Sequence, residues 1–334
     1  MEMENKQLDF LAIGDIVIDA FIRLENAEVH CDIDKTKCKL CVDFGQKIPY
    51  QSVEICNAVG NAPNASVSAS RLGLNSAILT YVGDDQNGKD CIEELKKNNV
   101  NTSFINTVDG KKTNYHYVLW YDVDRTILVK HETFNYRLGD IGSPKWIYLS
   151  SLGEKSFEMY EQISSYLKDK PEIKLAFQPG VFDMKLGKEK LDFIYSRADA
   201  VCVNVEEGQS ILGEKSRDLK TLLKGLSSLG PKNVFITDGF EGAYAYDKLH
   251  PDDFWFMPIY PHKPFERTGA GDAFFSTVIS ALSIGKSIDE ALTWGPINSM
   301  SVVQFVGAQK GLLSQEKLKE YLENAPPDYK LRHI

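Results

Sequence analysis

The chain has 334 residues, a formal net charge of −9 and 25% charged residues. Binding to nucleic acid or to an anionic membrane needs a basic surface, so this acidic composition argues against both as main partners. The length permits one large domain or two smaller ones. No apolar run approaches the length of a bilayer span, so a transmembrane segment is not expected.

The cysteines predict a reducing, cytoplasmic setting. They are scattered along the chain, and the first ten residues are acidic and polar, unlike a secretion signal. His30, Cys31, Cys38 and Cys41 suggest a zinc site, but no second Cys-x-x-Cys or His pair completes a set of four ligands. The strand-like composition of residues 37–44 also makes zinc the weaker interpretation.

Short apolar strands alternate with helical patterns through most of the chain. The candidate strands are 10–13, 76–82, 146–150, 173–177, 200–203 and 233–237, and the candidate helices are 64–72, 89–98, 156–168, 188–196, 217–229 and 273–282. Such alternation predicts a mostly parallel sheet with helices on its faces. The sequence therefore favours an α/β fold.

Two segments, at about 20–57 and 112–134, interrupt this alternation. In the second, an aromatic run and the run 125–130 flank Asp122-Val123-Asp124, a pattern typical of a β-hairpin. Both inserts are predicted to form extra β-structure that projects from the main sheet. A decorative edge, a lid over a site and a contact between the copies of a homodimer all fit such strands.

The segment from Glu266 to Phe274 places two glycines and a carboxylate where a loop opens an apolar helix. The N-terminus of a helix points free N–H groups outward and carries partial positive charge, which suits a phosphate or a developing negative charge. Asp272 would lie beside such an anion site. Taken alone, the motif also fits a helix that is capped by Thr268 or Asp272.

Polar turns lie next to other predicted elements. The stretch from Val59 to Asn64 opens a helix of small residues, and its asparagines could bind a hydroxyl-rich ligand, or Asn64 could cap the helix. The segments 204–207 and 237–242 each follow a strand directly, at the edge where open α/β sheets bind ligands. Walker A, dinucleotide-binding, serine hydrolase and zincin motifs do not occur in the sequence.

Taken in order, these motifs resemble those of the ribokinase, or PfkB, family of carbohydrate and nucleoside kinases. The matching segments are 14–19, 60–73, 83–88, 204–207, 237–242, 266–274 and 307–311. The resemblance implies a ribokinase-like three-layer α/β/α sandwich with a mostly parallel central sheet and a small β-sheet lid, in a single kinase domain over residues 1–334. It also implies transfer of a phosphoryl group from ATP, with Mg²⁺, to a hydroxyl of a small sugar or nucleoside, a sugar being favoured.

The resemblance assigns roles to individual residues. Asp272 would be the general base, and Gly269, Ala270 and Gly271 would form the anion hole for the transferred group. The residues implied to bind the substrate are Asp19, Gly60, Asn61 and Asn64. The residues implied to bind the nucleotide are Asn204, Thr237, Gly239, Gly242 and Thr268, with Glu207 holding Mg²⁺ through water.

The chain departs from the family pattern in two places. Many relatives have two glycines where this chain has Val59-Gly60, and Asn61 follows, so sugar recognition would differ. Glu266-Arg267 replaces the usual Asp-Thr, and that aspartate helps to hold a monovalent cation in several relatives, so Glu266 is the candidate ligand of a K⁺ ion. Arg267 could instead supply positive charge to phosphates or make a surface ion pair.

Two alternative functions stay open on the sequence. In a nucleoside kinase, the insert aromatics Tyr115, Tyr117, Trp120 and Tyr121 could stack on a base, although they serve equally well as lid core or dimer contact. In a kinase-fold protein without catalysis, the same fold would bind or regulate a partner. Retention of Asp272 and of the glycine turn argues against the second alternative.

Overall fold

The computed structural model describes residues 7–32, 38–122 and 124–334. The strands are β1 (Phe10–Ile13), β2 (Val17–Leu24), β3 (Glu28–Cys31), β4 (Cys38–Cys41), β5 (Tyr50–Val59), β6 (Ser76–Gly83), β7 (Ile105–Val108), β8 (Asn114–Tyr121), β9 (Asp124–Leu128), β10 (Trp146–Ser150), β11 (Lys174–Gln178), β12 (Ala200–Asn204), β13 (Asn233–Thr237), β14 (Ala243–Asp247), β15 (Phe254–Met257) and β16 (Arg332–His333). The helices are α1 (Asn61–Arg71), α2 (Gln86–Lys97), α3 (Phe157–Asp169), α4 (Val181–Leu186), α5 (Asp192–Tyr195), α6 (Val205–Leu212), α7 (Leu219–Ser228), α8 (Ala270–Ser283), α9 (Ile288–Val302) and α10 (Gln315–Glu323).

The central sheet has ten strands in the order β16-β15-β14-β13-β12-β11-β10-β1-β6-β7. Every neighbouring pair from β7 to β13 is parallel, and β14 to β16 extend the sheet with antiparallel pairs. The short crossovers between parallel strands are helices, as the alternation in the sequence predicts.

Alternate residues of β1 pack into opposite layers. Phe10 and Ala12 join the core beneath α1, α8 and α9, whereas Leu11 and Ile13 join the core beneath α3, α6 and α7. Because side chains of a strand point to opposite faces in turn, a strand buried on both faces reads as a continuous apolar run. The predicted three-layer α/β/α sandwich is therefore confirmed.

The predicted strands at 10–13, 146–150 and 233–237 match the observed ones residue for residue. The helix predicted at 188–196 is only partly observed, because α5 covers 192–195 and residues 188–191 form a turn, while α4 ends before this range. Gly187, with a φ of 87°, follows α4 in the left-handed half of the backbone map and breaks the helical pattern there. Within the described ranges, none of the helices is both long and apolar enough to cross a bilayer.

Both inserts form β-structure, as predicted, and together they build a second sheet in the order β5-β2-β8-β9, which we call the lid. Strand β2 pairs with β5 antiparallel and with β8 parallel, and β8 and β9 form the expected hairpin. The inner face of the lid contributes Phe21, Val118 and Trp120 to a small core that also contains Val306 of the body. The lid strands therefore pack on the body close to the loop that precedes α8.

A disulfide joins Cys31 to Cys38 in the ribbon formed by β3 and β4. The sequence did not predict this pair, because only the antiparallel register of the ribbon sets the two residues opposite each other. The bond takes up two of the four candidate zinc ligands, and His30 contacts Glu28 at 2.8 Å. Among the described residues, no group of three or more His, Cys, Asp or Glu side chains is arranged to hold a metal.

Candidate active site

Asp272, in the first turn of α8, lies at the centre of the candidate site. Its side chain is buried and accepts hydrogen bonds from Nδ2 of Asn61 at 2.7 Å, from Nδ2 of Asn64 at 2.8 Å and from Nε2 of Gln178 at 3.1 Å. Burial raises the pKa of Asp272, and these three hydrogen bonds act in the opposite direction. The result is an oriented carboxylate of increased basicity, which is what a general base requires.

Further polar side chains fix the amides that hold Asp272. Nε2 of Gln309 donates to Oδ1 of Asn64 at 3.0 Å and to the carbonyl of Ala58 at 2.7 Å. The hydroxyl of Tyr148 donates to Oε1 of Gln178. Sequence reasoning missed these residues. The available signal was that Gln178 is a polar residue directly after the predicted strand 173–177, as Asn204 is after the predicted strand 200–203.

The turn before α8 is open for an anion. Gly269 is the N-cap of the helix with a φ of 81°, and a Cβ atom there would lie 2.4 Å from Cβ of Ala308, so the position needs glycine. No side chain caps the helix, so the interpretation of Thr268 or Asp272 as a cap is wrong. The N–H groups of the first turn, at Ala270, Gly271 and the residues beside them, are thus left for a bound anion.

A cavity of about 270 Å³ opens beside this turn. Its lining contains Thr237, Gly239 and Gly242, which the sequence assigned to the nucleotide, together with Ala270 and Gly271. The other lining residues are mostly apolar: Phe240, Ala243, Ile259, Pro264, Phe274, Pro296, Met300 and Val303. The guanidinium of Arg267 also lines the cavity and lies 4.8 Å from the centre of the Phe240 ring. An apolar slot with one cation suits a flat base joined to phosphates.

Asn204 and Glu207 form a reciprocal capping box at the start of α6. The N–H of Glu207 donates to Oδ1 of Asn204 at 2.8 Å, and the N–H of Asn204 donates to Oε2 of Glu207 at 2.9 Å. Burial raises the pKa of Glu207, and the charge of Asp272 raises it further. A carboxylate in this environment fits a nearby Mg²⁺ ion, which prefers hard oxygen ligands and keeps several waters.

Thr268 and Glu266 contact each other rather than the cavity. Oε1 of Glu266 accepts hydrogen bonds from the N–H of Thr268 at 2.9 Å and from its hydroxyl at 2.6 Å. The same oxygen lies 3.5 Å from Nη1 of Arg125, which belongs to lid strand β9. The structure therefore places a protein cation at the carboxylate that the sequence assigned to K⁺.

The lid brings two imidazoles to the acidic residues near the end of β1. Nδ1 of His116 lies 3.3 Å from Oδ1 of Asp19, and Nδ1 of His131 lies 3.3 Å from Oδ2 of Asp15. The two Nε2 atoms are 3.1 Å apart, which is within hydrogen-bonding distance. The hydroxyl of Tyr136 donates to Oδ1 of Asp15 at 2.8 Å. Sequence reasoning identified Asp19 but missed the histidines, although two of the six histidines of the chain fall in one predicted hairpin.

Two carboxylate oxygens of this cluster keep some acceptor capacity. Oδ2 of Asp15 and Oδ1 of Asp19 are buried, and each has an imidazole nitrogen at 3.3 Å but receives no hydrogen bond of regular geometry from the described part of the chain. Buried polar atoms are nearly always fully paired in folded proteins, so these two oxygens are candidates to accept from ligand donors such as hydroxyl groups. The nearby thiol of Cys56 is not a nucleophile, because burial and the charges of Glu54, Asp19 and Glu266 raise its pKa to about 12.

Gly60 starts α1 close to the same cluster. Its φ is 115°, and a Cβ atom there would lie 2.9 Å from the carbonyl oxygen of Asp15, so a side chain would collide with the backbone. Asn61 and Asn64 lie in the first turn of α1, and both point to Asp272. The sequence also allowed Asn64 to be the cap of this helix. That interpretation is wrong, because the N-cap is Gly60.

Comparison with known sequences gives ribokinases as relatives over most of the chain. The ribokinase of Bacillus subtilis is 26% identical over 271 residues, which cover 79% of this chain and 87% of that protein. The ribokinase of Haemophilus influenzae is 24% identical over 290 residues, covering 84% of this chain and 92% of that protein.

Solved structures share the fold. The ribokinase of Arabidopsis thaliana, complexed with ribose and ATP, superposes with a TM-score of 0.76 at 17% identity, covering 95% of this chain and 99% of that one. A nucleoside kinase of Methanocaldococcus jannaschii gives a TM-score of 0.74 at 19% identity over 96% and 100% of the two chains. A candidate ribokinase II of E. coli, in complex with ATP and Mg²⁺, gives 0.73 at 16% identity over 95% and 99%.

The sequence motifs, the fold and the relatives agree with one another. The model of the pfkB family of carbohydrate kinases matches residues 30–315, which is most of the chain. The resemblance to ribokinases that the sequence motifs indicate is therefore confirmed, and the chain belongs to the pfkB family of carbohydrate kinases.

Proposed function

We propose that this chain phosphorylates a hydroxyl group of a small sugar, with ATP as the donor and Mg²⁺ as the required ion. The observation that carries the proposal is the position of Asp272, a buried and oriented carboxylate that directly follows an uncapped glycine turn lining the cavity beside α8. The complexes of fold neighbours with ATP, with ribose and with Mg²⁺ support the same donor and ion.

In the proposed reaction, Asp272 accepts the proton of the substrate hydroxyl as its oxygen attacks the γ-phosphorus. The bond between the γ-phosphorus and the bridging oxygen breaks, and ADP leaves with the electron pair. The N–H groups of Gly269, Ala270 and Gly271 stabilise the charge on the transferred group. Glu207 and Asn204 would hold Mg²⁺ through its waters, and this ion would neutralise phosphate charge.

The donor would occupy the cavity beside α8. Thr237, Gly239 and Gly242 line it, and its apolar wall would hold the base. Arg267 would provide the local positive charge that an acidic chain needs to bind phosphates. Thr268 would act by holding the turn in place, because both its N–H and its hydroxyl are engaged with Glu266.

The acceptor would lie between α1 and the lid, bound by Asp19, Gly60, Asn61 and Asn64. A substrate hydroxyl would displace one amide donor from Asp272, and the oxygens of Asp15 and Asp19 that face the imidazoles would accept from other hydroxyls. Such a lining favours a polyhydroxyl sugar over a nucleobase, which needs a free aromatic face.

The aromatic residues of the second insert give little support to the alternative of a nucleoside kinase. Trp120, the largest of them, is only 5% exposed and lies between the guanidinium of Arg23 at 4.3 Å and the ring of Phe265 at 5.3 Å. Tyr117 is half exposed, but on a lid surface that also exposes Tyr50, Val53, Ile55 and Leu128. This apolar surface supports the predicted homodimer through the lid. The cytoplasmic location and the single kinase domain stay predictions.

Release of ADP in the presence of a panel of pentoses, hexoses, amino sugars and nucleosides tests the proposal. We expect turnover with at least one sugar, strict dependence on Mg²⁺ and a kcat that Asp272→Asn lowers by about 10²- to 10⁴-fold. Turnover restricted to nucleosides would overturn the choice of sugar. Absence of turnover with every acceptor, together with tight binding of a protein partner, would favour a regulatory kinase-fold protein.

A further inference from the structure

Glu266 lies at the start of the anion turn and is almost fully buried, with 2% of its side chain exposed. Its backbone N–H donates to the carbonyl of Val303 at 3.1 Å, and its Oε1 accepts both hydrogen bonds from Thr268. The carboxylate thus fixes the residue that precedes Gly269. A buried carboxylate needs a counter-charge to be retained, so the source of that charge matters for the turn.

The counter-charge comes from the lid. Arg125 of β9 brings Nη1 to 3.5 Å from Oε1 of Glu266, and its side chain is 24% exposed. Nε of Arg125 and Oε2 of Glu266 are both buried without a hydrogen bond from the described residues. Each side chain therefore keeps one polar atom without a hydrogen bond. If the two side chains moved slightly closer, the guanidinium could donate two parallel hydrogen bonds to the carboxylate.

A second contact lies beside the first. Arg125 and Trp120 are directly opposed in the β8–β9 hairpin. The ring of Trp120 meets the edge of Phe265 at 5.3 Å, and Phe265 immediately precedes Glu266. One cross-strand pair of the lid therefore contacts two successive residues of the body. This arrangement fixes both the position and the direction of the chain that enters the anion turn.

We propose that Arg125 is a positioning residue that joins closure of the lid to formation of the anion hole. Its guanidinium neutralises Glu266 and so fixes Thr268 and the N–H groups that follow; this inference rests on the proposed function of the turn. A K⁺ ion at Glu266 would lie close to the guanidinium and be repelled by it, so the site does not fit such an ion. The enzyme therefore works without a monovalent cation.

Melting curves test the charge pair without requiring turnover. The protein is compared in KCl and in tetramethylammonium chloride of equal ionic strength. For the unmodified protein we expect the same melting temperature in both salts. Arg125→Ala leaves a buried carboxylate and a vacated space, so we expect a melting temperature lower by about 2–4 °C that K⁺ partly restores. Arg125→Ala combined with Glu266→Gln should lose the response to K⁺.

Kinetics test the link to the anion hole. We expect kcat of the unmodified enzyme to agree within about twofold in the two salts, and Arg125→Ala to lower kcat about tenfold in tetramethylammonium with partial recovery in K⁺. Lys130→Ala, which removes an exposed lid cation 3.8 Å from Glu132, is the control and should behave like the unmodified enzyme. Loss of packing alone would lower stability without creating a response to K⁺.

Several results would overturn the inference. These are a several-fold activation of the unmodified enzyme by K⁺, or an Arg125→Ala enzyme with unchanged kcat and melting temperature. If Arg125→Ala cannot be purified, Glu266→Gln alone tests the same pair, because it should lower kcat and show no response to K⁺. If no acceptor is phosphorylated, the melting curves still decide the pairing, so that failure of the proposed function is seen separately.

Discussion

The body and the lid supply different halves of the site. The body contributes Asp272, the anion turn and the cavity, all held by buried hydrogen bonds at the ends of strands and the starts of helices. The lid contributes Asp19 from β2 and His116 from β8, the inner strands of a sheet whose outer strands, β5 and β9, are mostly exposed. The difference suggests that phosphoryl transfer depends on the body, whereas acceptor recognition depends on the lid as well as on the start of α1, so substitutions of lid residues should change KM more than kcat.

The largest effect is expected on the body side, from Asp272→Asn. The loss of a general base lowers kcat by about 10²- to 10⁴-fold, while the nucleotide cavity keeps its shape. Steady-state assays give kcat, and calorimetric titration with ADP should give an affinity within about twofold of the unmodified protein. An Asp272→Asn enzyme with unchanged kcat would refute the assignment of the base.

The next effect is expected on the lid, from Asp19→Asn. Hydrogen bonds to a charged group contribute about 1.5–3 kcal/mol, so KM for the sugar should rise about 10- to 100-fold with a smaller change in kcat. Asp43→Asn, at an exposed position of the same insert, is the control and should leave KM unchanged. If Asp19→Asn lowered kcat alone, the division between lid and body would be wrong.

A third substitution tests how strongly kcat depends on the backbone geometry of the anion turn. Gly269→Ala combines a φ of 81° with a contact of 2.4 Å to Cβ of Ala308, so it should lower both kcat and the free energy of unfolding, the latter by about 1–3 kcal/mol. Gly285→Ala is a matched control, because Gly285 has a φ of 86° but no atom within 4 Å of the added Cβ. Urea denaturation and kcat are measured for both.

The control should lose some stability and no activity. An equal loss of kcat in Gly269→Ala and Gly285→Ala would show that backbone strain, rather than the shape of the anion turn, is responsible. Neither change touches the lid, so KM for the sugar should stay close to its normal value in both variants.

The contrast between body and lid also explains what the sequence could predict. Strands such as Trp146–Ser150 are buried on both faces, and their continuous apolar runs are visible without a structure. Asp272 and Gly269 belong to one contiguous turn whose chemistry can be interpreted locally. The centre of the body was therefore predictable. The sequence did not predict β7, the antiparallel strands after β13, or helices α4, α6, α9 and α10.

The contacts of the lid were not predictable in the same way. Arg125 meets Glu266, and His131 meets Asp15, only because the fold brings distant segments together. Gln178 reaches Asp272 across two elements for the same reason. Sequence motifs identify groups that act through neighbouring residues, whereas pairs formed between separate elements require knowledge of the sheet order and of the lid position.

The smallest effect is a change in pH dependence that distinguishes the body from the lid. Burial raises the pKa of Asp272, and the hydrogen bond from Asn61 at 2.7 Å counteracts that rise. The base must be ionised, so kcat falls as the pH falls through this raised pKa. Asn61→Ala removes a donor to the ionised form, which raises the pKa further and moves the acid limb of the kcat profile to higher pH.

The control for this shift is Asn106→Ala, whose side chain is exposed and donates only locally, to the carbonyl of Phe104 at 3.2 Å. Its acid limb should coincide with that of the unmodified enzyme. Asp19→Asn should also leave the limb in place, because kcat at saturating sugar reports the base in the body rather than the carboxylate on the lid. If Asp19→Asn shifted the acid limb and Asn61→Ala did not, the base would have to be assigned to the cluster of carboxylates and imidazoles at the lid instead of to Asp272.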